Sequence, residues 1–179
     1  ASSCFYYENK KELSDTHPLK FRFANGNVTL PISNPGRNIA LNVNAVFFKR
    51  ARLIKSGLQF NPLVKPGFED SLFVNSYLLE AFKWNVGYCA DAKYIYRKRD
   101  NGTSTLDTAW QHPGRYDHQL RLGSLGLIEK SIALLGNVPK FIQRVAMYDI
   151  AWHINKIIRF DSDIRSLNQS QLDNYYQVV

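Results

Sequence analysis

The chain has 179 residues, 45% hydrophobic and 13% aromatic, with a formal net charge of +8. That is enough for one domain with a core, or one domain plus a helical appendage, and it argues against a disordered chain. The basic balance calls for an anionic partner (nucleic acid, an anionic membrane surface or a phosphorylated substrate) without choosing among them.

Only Cys4 and Cys89 are present, which excludes a disulfide framework and fits a reducing compartment. No apolar stretch approaches the ~18–20 residues needed to span a bilayer. The opening "ASSCFYYENK" carries neither an initiator Met nor a signal-type core, and reads as mid-domain sequence of a longer polypeptide.

In chain order, "CFYY", "LKFRF" and "VTLPI" read as short strands punctuated by "HP", "NGN" and "NPGRN". Residues Ile39 to Phe48 alternate loosely and are rich in β-formers, so a strand is expected there. It runs into a short helix that Gly57 stops. From Ser71 to Trp84 the polar positions Ser71, Asn75, Ser76, Glu80 and Lys83 leave a broad apolar face, which predicts a helix packed on several sides. "NVGYCADAKYIYRKR" returns to a strand pattern, with Tyr88, Ile95 and Tyr96 pleated, and "DNGTST" is a polar loop.

After Trp110 the pattern turns helical. One helix carries Leu120, Leu127, Ile128 and Leu134 or Leu135 between Pro113 and Gly136. A second opens at Pro139 with Phe141, Val145, Tyr148 and Ile150 or Trp152 recurring. "NQSQLDNYYQVV" closes the chain as a last short helix. The expected organisation is therefore mixed α/β over residues 1–110 and helical over residues 111–179.

Chemistry concentrates in "GFEDSLFVNSYLLEA", where Glu69 and Asp70 adjoin just ahead of the apolar run. Helix capping by Asp70 or Ser71 is the plainest reading, since carboxylates favour the positive end of a helix dipole. It does not account for a pair: with Asp70 as cap, the third helical residue is Phe73, and no capping box forms. A second element lies downstream in "YIYRKRDNGTST". Arg97 and Arg99 leave a strand and enter a loop holding Ser104, an arrangement suited to a diphosphate because guanidinium binds phosphate bidentately. For the tripeptide Arg97–Lys98–Arg99 alone, a solvated strand end is the competing reading.

Taken together, the acidic pair, the buried helix and the "YRxRxxxxS" element resemble the second half of family 2 glycosyltransferases of the GT-A fold. The likeness is greatest to bacterial enzymes of teichoic acid and capsule synthesis. It covers roughly residues 41 to 152, through "LNVNAVFFKRARLIKSGLQFNPLVKPGFEDSLFVNSYLLEA", "YIYRKRDNGTSTLDTAWQHPGRY" and "VPKFIQRVAMYDIAW". The implied fold is α/β: a partial GT-A (nucleotide-diphospho-sugar transferase) fold followed by a helical C-terminal extension.

The resemblance further implies transfer, with inversion, from a nucleotide-diphosphate sugar to a glycan or polyol-phosphate polymer. Asp70 would be the general base, Glu69 its orienting neighbour, and Arg97, Arg99 and Ser104 the diphosphate clamp. A divalent Mg²⁺ or Mn²⁺ is implied too, its ligands mostly outside this chain. No Asp-x-Asp precedes Glu69, and "DSD" at Asp161–Asp163 sits in the wrong place. The chain alone, lacking the nucleotide-binding half, should be inactive.

A cytoplasmic location follows from the resemblance, with peripheral association at the inner face of the membrane, a neighbouring domain or missing half as partner, and no nucleic acid. His112 and His118 read as surface or helix-start residues ahead of metal ligands, and the resemblance sets the His17 segment near the acceptor cleft. Trp110 is the best sugar-stacking candidate among tryptophans that otherwise read as packing. The rival reading is a non-catalytic basic module that binds an anionic polymer, nucleic acid or a membrane surface.

Overall fold

A computed structural model describes residues 1–98, 108–159 and 161–179. It is mixed α/β with a helical C-terminal part, as expected. Strand β1 (Ser2–Tyr7) runs between β2 (Glu12–Ser14), antiparallel, and β5 (Lys93–Lys98), parallel, with Cys4 opposite Ile95. A separate antiparallel pair joins β3 (Val28–Pro31) to β4 (Asn85–Tyr88), so the single strand pattern expected over 85–99 is two strands in two sheets.

Two expected strands are absent, for one shared reason. "LKFRF" forms a 3₁₀ turn, Lys20–Phe23, that carries Arg22 inward. There its Nη1 donates to the Ile39 carbonyl at 2.7 Å and its Nε to the Leu19 carbonyl at 3.2 Å. The Ile39–Phe48 stretch joins no ladder and turns midway, where the Val46 N–H donates to the Val43 carbonyl at 3.0 Å. Its backbone polar groups are met by side chains instead: Arg22 at Ile39, Asn75 at Ala40 and Asp70 at Val43. Buried backbone groups must be paired, and polar side chains do here what a neighbouring strand does elsewhere.

Helix α1 (Arg50–Ser56) ends at Gly57, whose φ of 63° is left-handed. Helix α2 (Glu69–Glu80) buries Ser71, Phe73, Val74, Asn75, Ser76, Tyr77 and Leu79, the many-sided packing its pattern predicted. A π-helical stretch, Gln119–Leu125, runs directly into α3 (Gly126–Leu135). Then follow α4 (Lys140–Arg159), α5 (Ser162–Arg165) and α6 (Gln169–Tyr176), the last opened by an Asn168–Gln171 capping box.

The main core joins both parts of the chain. Leu19, Ile32, Ile39, Tyr77 and Leu79 pack with Leu127, Phe141, Ile142 and Val145. A fully buried side chain of this size contributes about 1.5–3 kcal/mol, so the helical part is a structural partner of α2. In α4 the buried seam is Phe141, Ile142, Val145, Ala146, Asp149 and His153. Expected seam residue Trp152 is 53% exposed. The helical period places positions 149 and 153 inside, but a search for apolar recurrence passes over them because they are polar.

Those two residues serve a second core, built on Tyr116, Leu120, Ile164 and Tyr175. His153 is fully enclosed; its Nδ1 lies 2.9 Å from the Tyr175 hydroxyl, while its Nε2 has no partner among the described residues. Burial, helped by the Arg115 charge, lowers its pKa to about 3. The imidazolium would need an acceptor at Nε2 and finds none. Below pH 6.5 the unfolded chain therefore binds a proton that the folded chain refuses, and stability falls by about 1.4 kcal/mol per pH unit. By pH 5 the expected loss from this group is about 2 kcal/mol.

Half-buried Glu69 and buried Asp149, whose carboxyls are raised by desolvation, act in the opposite direction and lose stability as pH rises through their folded values. Urea unfolding of the wild type against His153→Gln between pH 7 and 5 isolates the histidine. Parallel pH dependence in the two proteins would refute the assignment.

Candidate active site

The acidic pair enters α2 by an unusual route. A cis Lys65–Pro66 bond is followed by Phe68 at φ 72°, and Phe68 occupies the N-cap position with no side-chain cap. Glu69 and Asp70 thus lie inside the first turn rather than before it, and the expected capping by Asp70 or Ser71 does not occur. With the backbone turn itself closing the helix end, both carboxylates are available for other contacts.

Asp70 Oδ2 accepts the Val43 N–H at 3.1 Å. One turn on, Asn75 Nδ2 donates to the Ala40 carbonyl at 2.7 Å, joined by the Ser71 hydroxyl at 3.5 Å. Residues 40–43 are thereby fastened along the face of α2 that carries Asp70. Nothing in an alternating run such as "IALNVN" signals that its backbone will be held by side chains.

The C-terminal segment closes on the other side. A Cβ built on Gly114 would stand 2.6 Å from the Lys65 carbonyl, and one on Gly123 would stand 2.8 Å from the Phe68 ring. Both spots admit only glycine, because the backbones and ring touch there. Gly67 faces Arg115 Nη1 and Gln119 Oε1, each 3.4 Å from where its Cβ would be. Arg115 donates to that Gln119 oxygen at 2.9 Å, and Gln119 Nε2 donates to Asp149 Oδ1 at 2.8 Å. The Ser124 hydroxyl donates to Asp149 Oδ2 at 2.7 Å. A buried polar chain therefore runs from α4 to the turn that precedes the acidic pair.

Glu69 lines a cleft of about 430 Å³ with Phe60, Asn61, Pro62, Val64, Lys65, Pro66 and His112. Its Oε2 is buried without a hydrogen-bond partner among the described residues. Burial is the main cause that raises the Glu69 carboxyl above its ordinary value; its own backbone N–H opposes this and the Asp70 charge adds to it. Phe60 stacks on Phe73 with ring centroids 4.2 Å apart. His112 Nδ1 accepts the Gly114 N–H at 3.0 Å, which leaves the ring proton on Nε2.

The diphosphate element is elsewhere. Arg97 lies next to the end of β5, where it is exposed and pairs with Glu8, Nη2 to Oε1, at 2.6 Å. No hydrogen bond or ion pair joins Arg97 to Glu69 or Asp70 among the described residues. Arg99 and Ser104 lie outside the described residues. Trp110 is the hub of the second core: the Arg115 guanidinium lies 4.2 Å and the Lys156 ammonium 4.9 Å from its ring, with His153 edge-on. That is packing, the reading the sequence favours for its tryptophans.

His17 Nδ1 accepts the Leu19 N–H, and His118 approaches Asp117 at 3.8 Å. The "DSD" carboxylates of Asp161 and Asp163 are spent on Lys156 at 3.0 and 2.8 Å. Among the described residues no group of three or more His, Cys, Asp or Glu could hold a metal ion. They do not fit the divalent metal that the resemblance implies. Nor is any helix among them long and apolar enough to cross a membrane.

Fold and site together define a mixed α/β protein with an acidic pair beside a cleft. The chain is similar to the minor teichoic acid biosynthesis protein GgaA of Bacillus subtilis strain 168, 30% identical over 145 residues, covering 81% of this chain and 31% of that protein. It is similar also to the minor teichoic acid biosynthesis protein GgaB of the same strain, 26% identical over 163 residues, covering 91% of this chain and 17% of that protein. The chain is thus related to teichoic acid biosynthesis proteins, as its sequence motifs implied, and spans under a third of their length. No family model matches it, and no solved structure matches it.

Proposed function

We propose that the chain is the acceptor-side part of an inverting family 2 glycosyltransferase of GT-A type, which moves a sugar from a nucleotide-diphosphate donor to a teichoic-acid-type acceptor. The observation that carries this reading is a carboxylate pair in the first turn of α2, released from capping, with Glu69 lining a cleft. The relationship to teichoic acid biosynthesis proteins supplies the acceptor class.

In this reading Asp70 removes the proton from an acceptor hydroxyl as its oxygen attacks the anomeric carbon. The bond from that carbon to the diphosphate breaks, the nucleoside diphosphate leaves with the bonding electrons, and the configuration inverts. The Val43 N–H on Oδ2 fixes the Asp70 carboxylate, so its second oxygen is oriented as the base. Glu69 orients the acceptor. Arg97, Arg99 and Ser104 meet the charge that grows on the leaving diphosphate, Arg97 exchanging Glu8 for phosphate. Any metal would be held by residues of the nucleotide-binding half.

The test uses a polypeptide that joins this chain to its nucleotide-binding half, incubated with nucleotide sugars and purified teichoic-type polymer. Sugar incorporation should match nucleoside diphosphate release one to one. Absent incorporation, with tight and steeply salt-dependent binding of RNA, would replace this reading with a basic binding module.

A further inference from the structure

The cleft beside Glu69 has a lining that a neutral sugar would not need. Lys65 is exposed at its rim and has no carboxylate partner among the described residues. His112 also lines the cleft, and its Nε2–H is the ring's donor, since Nδ1 is occupied by the Gly114 N–H. These are two donors suited to an anion. Glu69 brings a carboxylate with a buried, unpartnered oxygen, a match for a hydroxyl. Phe60, 47% exposed, and Pro62 supply apolar surface for a carbon skeleton, and Phe60 is held flat by Phe73. A cleft of about 430 Å³ is within the range of small-molecule sites, ~300–1,000 Å³.

We infer that this cleft seats the terminal unit of the acceptor and selects a unit that carries a phosphodiester. Lys65 and His112 hold the phosphate, Glu69 takes a hydroxyl of the same unit, and Phe60 lies along its carbons. The ligand class is a polyol phosphate, and the inference rests on the transferase reading only for what the bound unit is used for. The close contact of Gly114 with the Lys65 carbonyl couples the two phosphate-binding residues, since it sets the His112 turn directly against the Lys65–Pro66 bond. Charge on Lys65 and the donor on His112 thus line one small cleft side by side.

The experiment is an amide-shift titration of the 179-residue chain with sn-glycerol 3-phosphate, glycerol and inorganic phosphate in parallel. Glycerol 3-phosphate should move amides of residues 60–70 and 112–114, glycerol should not at the same concentration, and inorganic phosphate should bind the same residues more weakly. Lys65→Glu, an exposed substitution that leaves the fold intact, should weaken glycerol 3-phosphate at least about tenfold. Equal binding in Lys65→Glu, or shifts confined to other residues, overturns the cleft assignment even where the longer polypeptide transfers sugar. Binding at this cleft without any sugar transfer upholds the phosphate site and overturns the transferase reading instead.

Discussion

Replacing Asp70 by Asn in the polypeptide that carries both halves should lower kcat by about 10²–10⁴-fold, the span that a positioned general base contributes. Donor affinity should stay within a few-fold, because the proposed mechanism assigns the diphosphate to Arg97, Arg99 and Ser104 and not to this carboxylate. The substitution is a clean one structurally. The Asn carbonyl oxygen can still accept the Val43 N–H, so the clamp on residues 40–43 survives and a folding defect is not expected. Glu69→Gln gives the contrasting result. Its amide retains the hydrogen-bonding shape but not the charge, so the loss should be smaller and fall mainly on the acceptor KM. Steady-state kinetics with both substrates varied, next to a thermal melt of each variant, reads all of this. Turnover of Asp70→Asn within about tenfold of the wild type would remove Asp70 as the base.

The two carboxylates were visible in the sequence as a pair, and so was the helix that follows them. What the letters did not carry was how that helix begins. A cap was expected because Asp and Ser commonly satisfy the first backbone N–H groups. Here a left-handed Phe68 after a cis proline bond turns the chain into the helix, and Phe68 is held by packing against Gly123 and the main core, contacts distant in sequence.

The Ile39–Phe48 strand failed for a related reason. β-propensity measures fit to a pleated surface, and this stretch has no neighbouring strand; Arg22, Asn75 and Asp70, distant in sequence, take up its backbone instead. Helices α3 and α4 were legible from long apolar recurrence, with Gly136 ending the one and Pro139 preceding the other as expected; Pro113, expected to open the first, opens only a 3₁₀ turn, Pro113–Arg115, ahead of the π-helical stretch. Polar seam residues were not legible, since Asp149 and His153 interrupt the very pattern by which a buried face is found.

Asp149 is where that omission has its largest consequence for stability. Its carboxylate takes the Gln119 amide on one oxygen and the Ser124 hydroxyl on the other, deep between α4 and the π-helical stretch. Arg115 is the nearby positive charge that offsets its desolvation, and Arg115 is itself largely withdrawn from water. Asp149→Ala removes one member of a buried charged set and strands the others, so unfolding free energy should fall by about 3–5 kcal/mol. Asp149→Asn is more discriminating. Its oxygen can accept from the Gln119 amide while its nitrogen donates to the Ser124 hydroxyl, which accepts as well as donates, so both contacts survive in neutral form. What is lost is the charge that strengthens them, and the expected cost is about 1–2 kcal/mol, the difference between charge-assisted and neutral hydrogen bonds.

Because Gln119 and Arg115 abut Gly67, the loosening should also reach the turn ahead of Glu69. Amide exchange should quicken at residues 65–70 in both variants, while β1 and β5 stay protected. Urea unfolding followed by tryptophan fluorescence measures the stability change, since Trp110 lies against the Arg115 guanidinium. A loss under about 1 kcal/mol in Asp149→Ala would mean that this chain is no more than a surface contact.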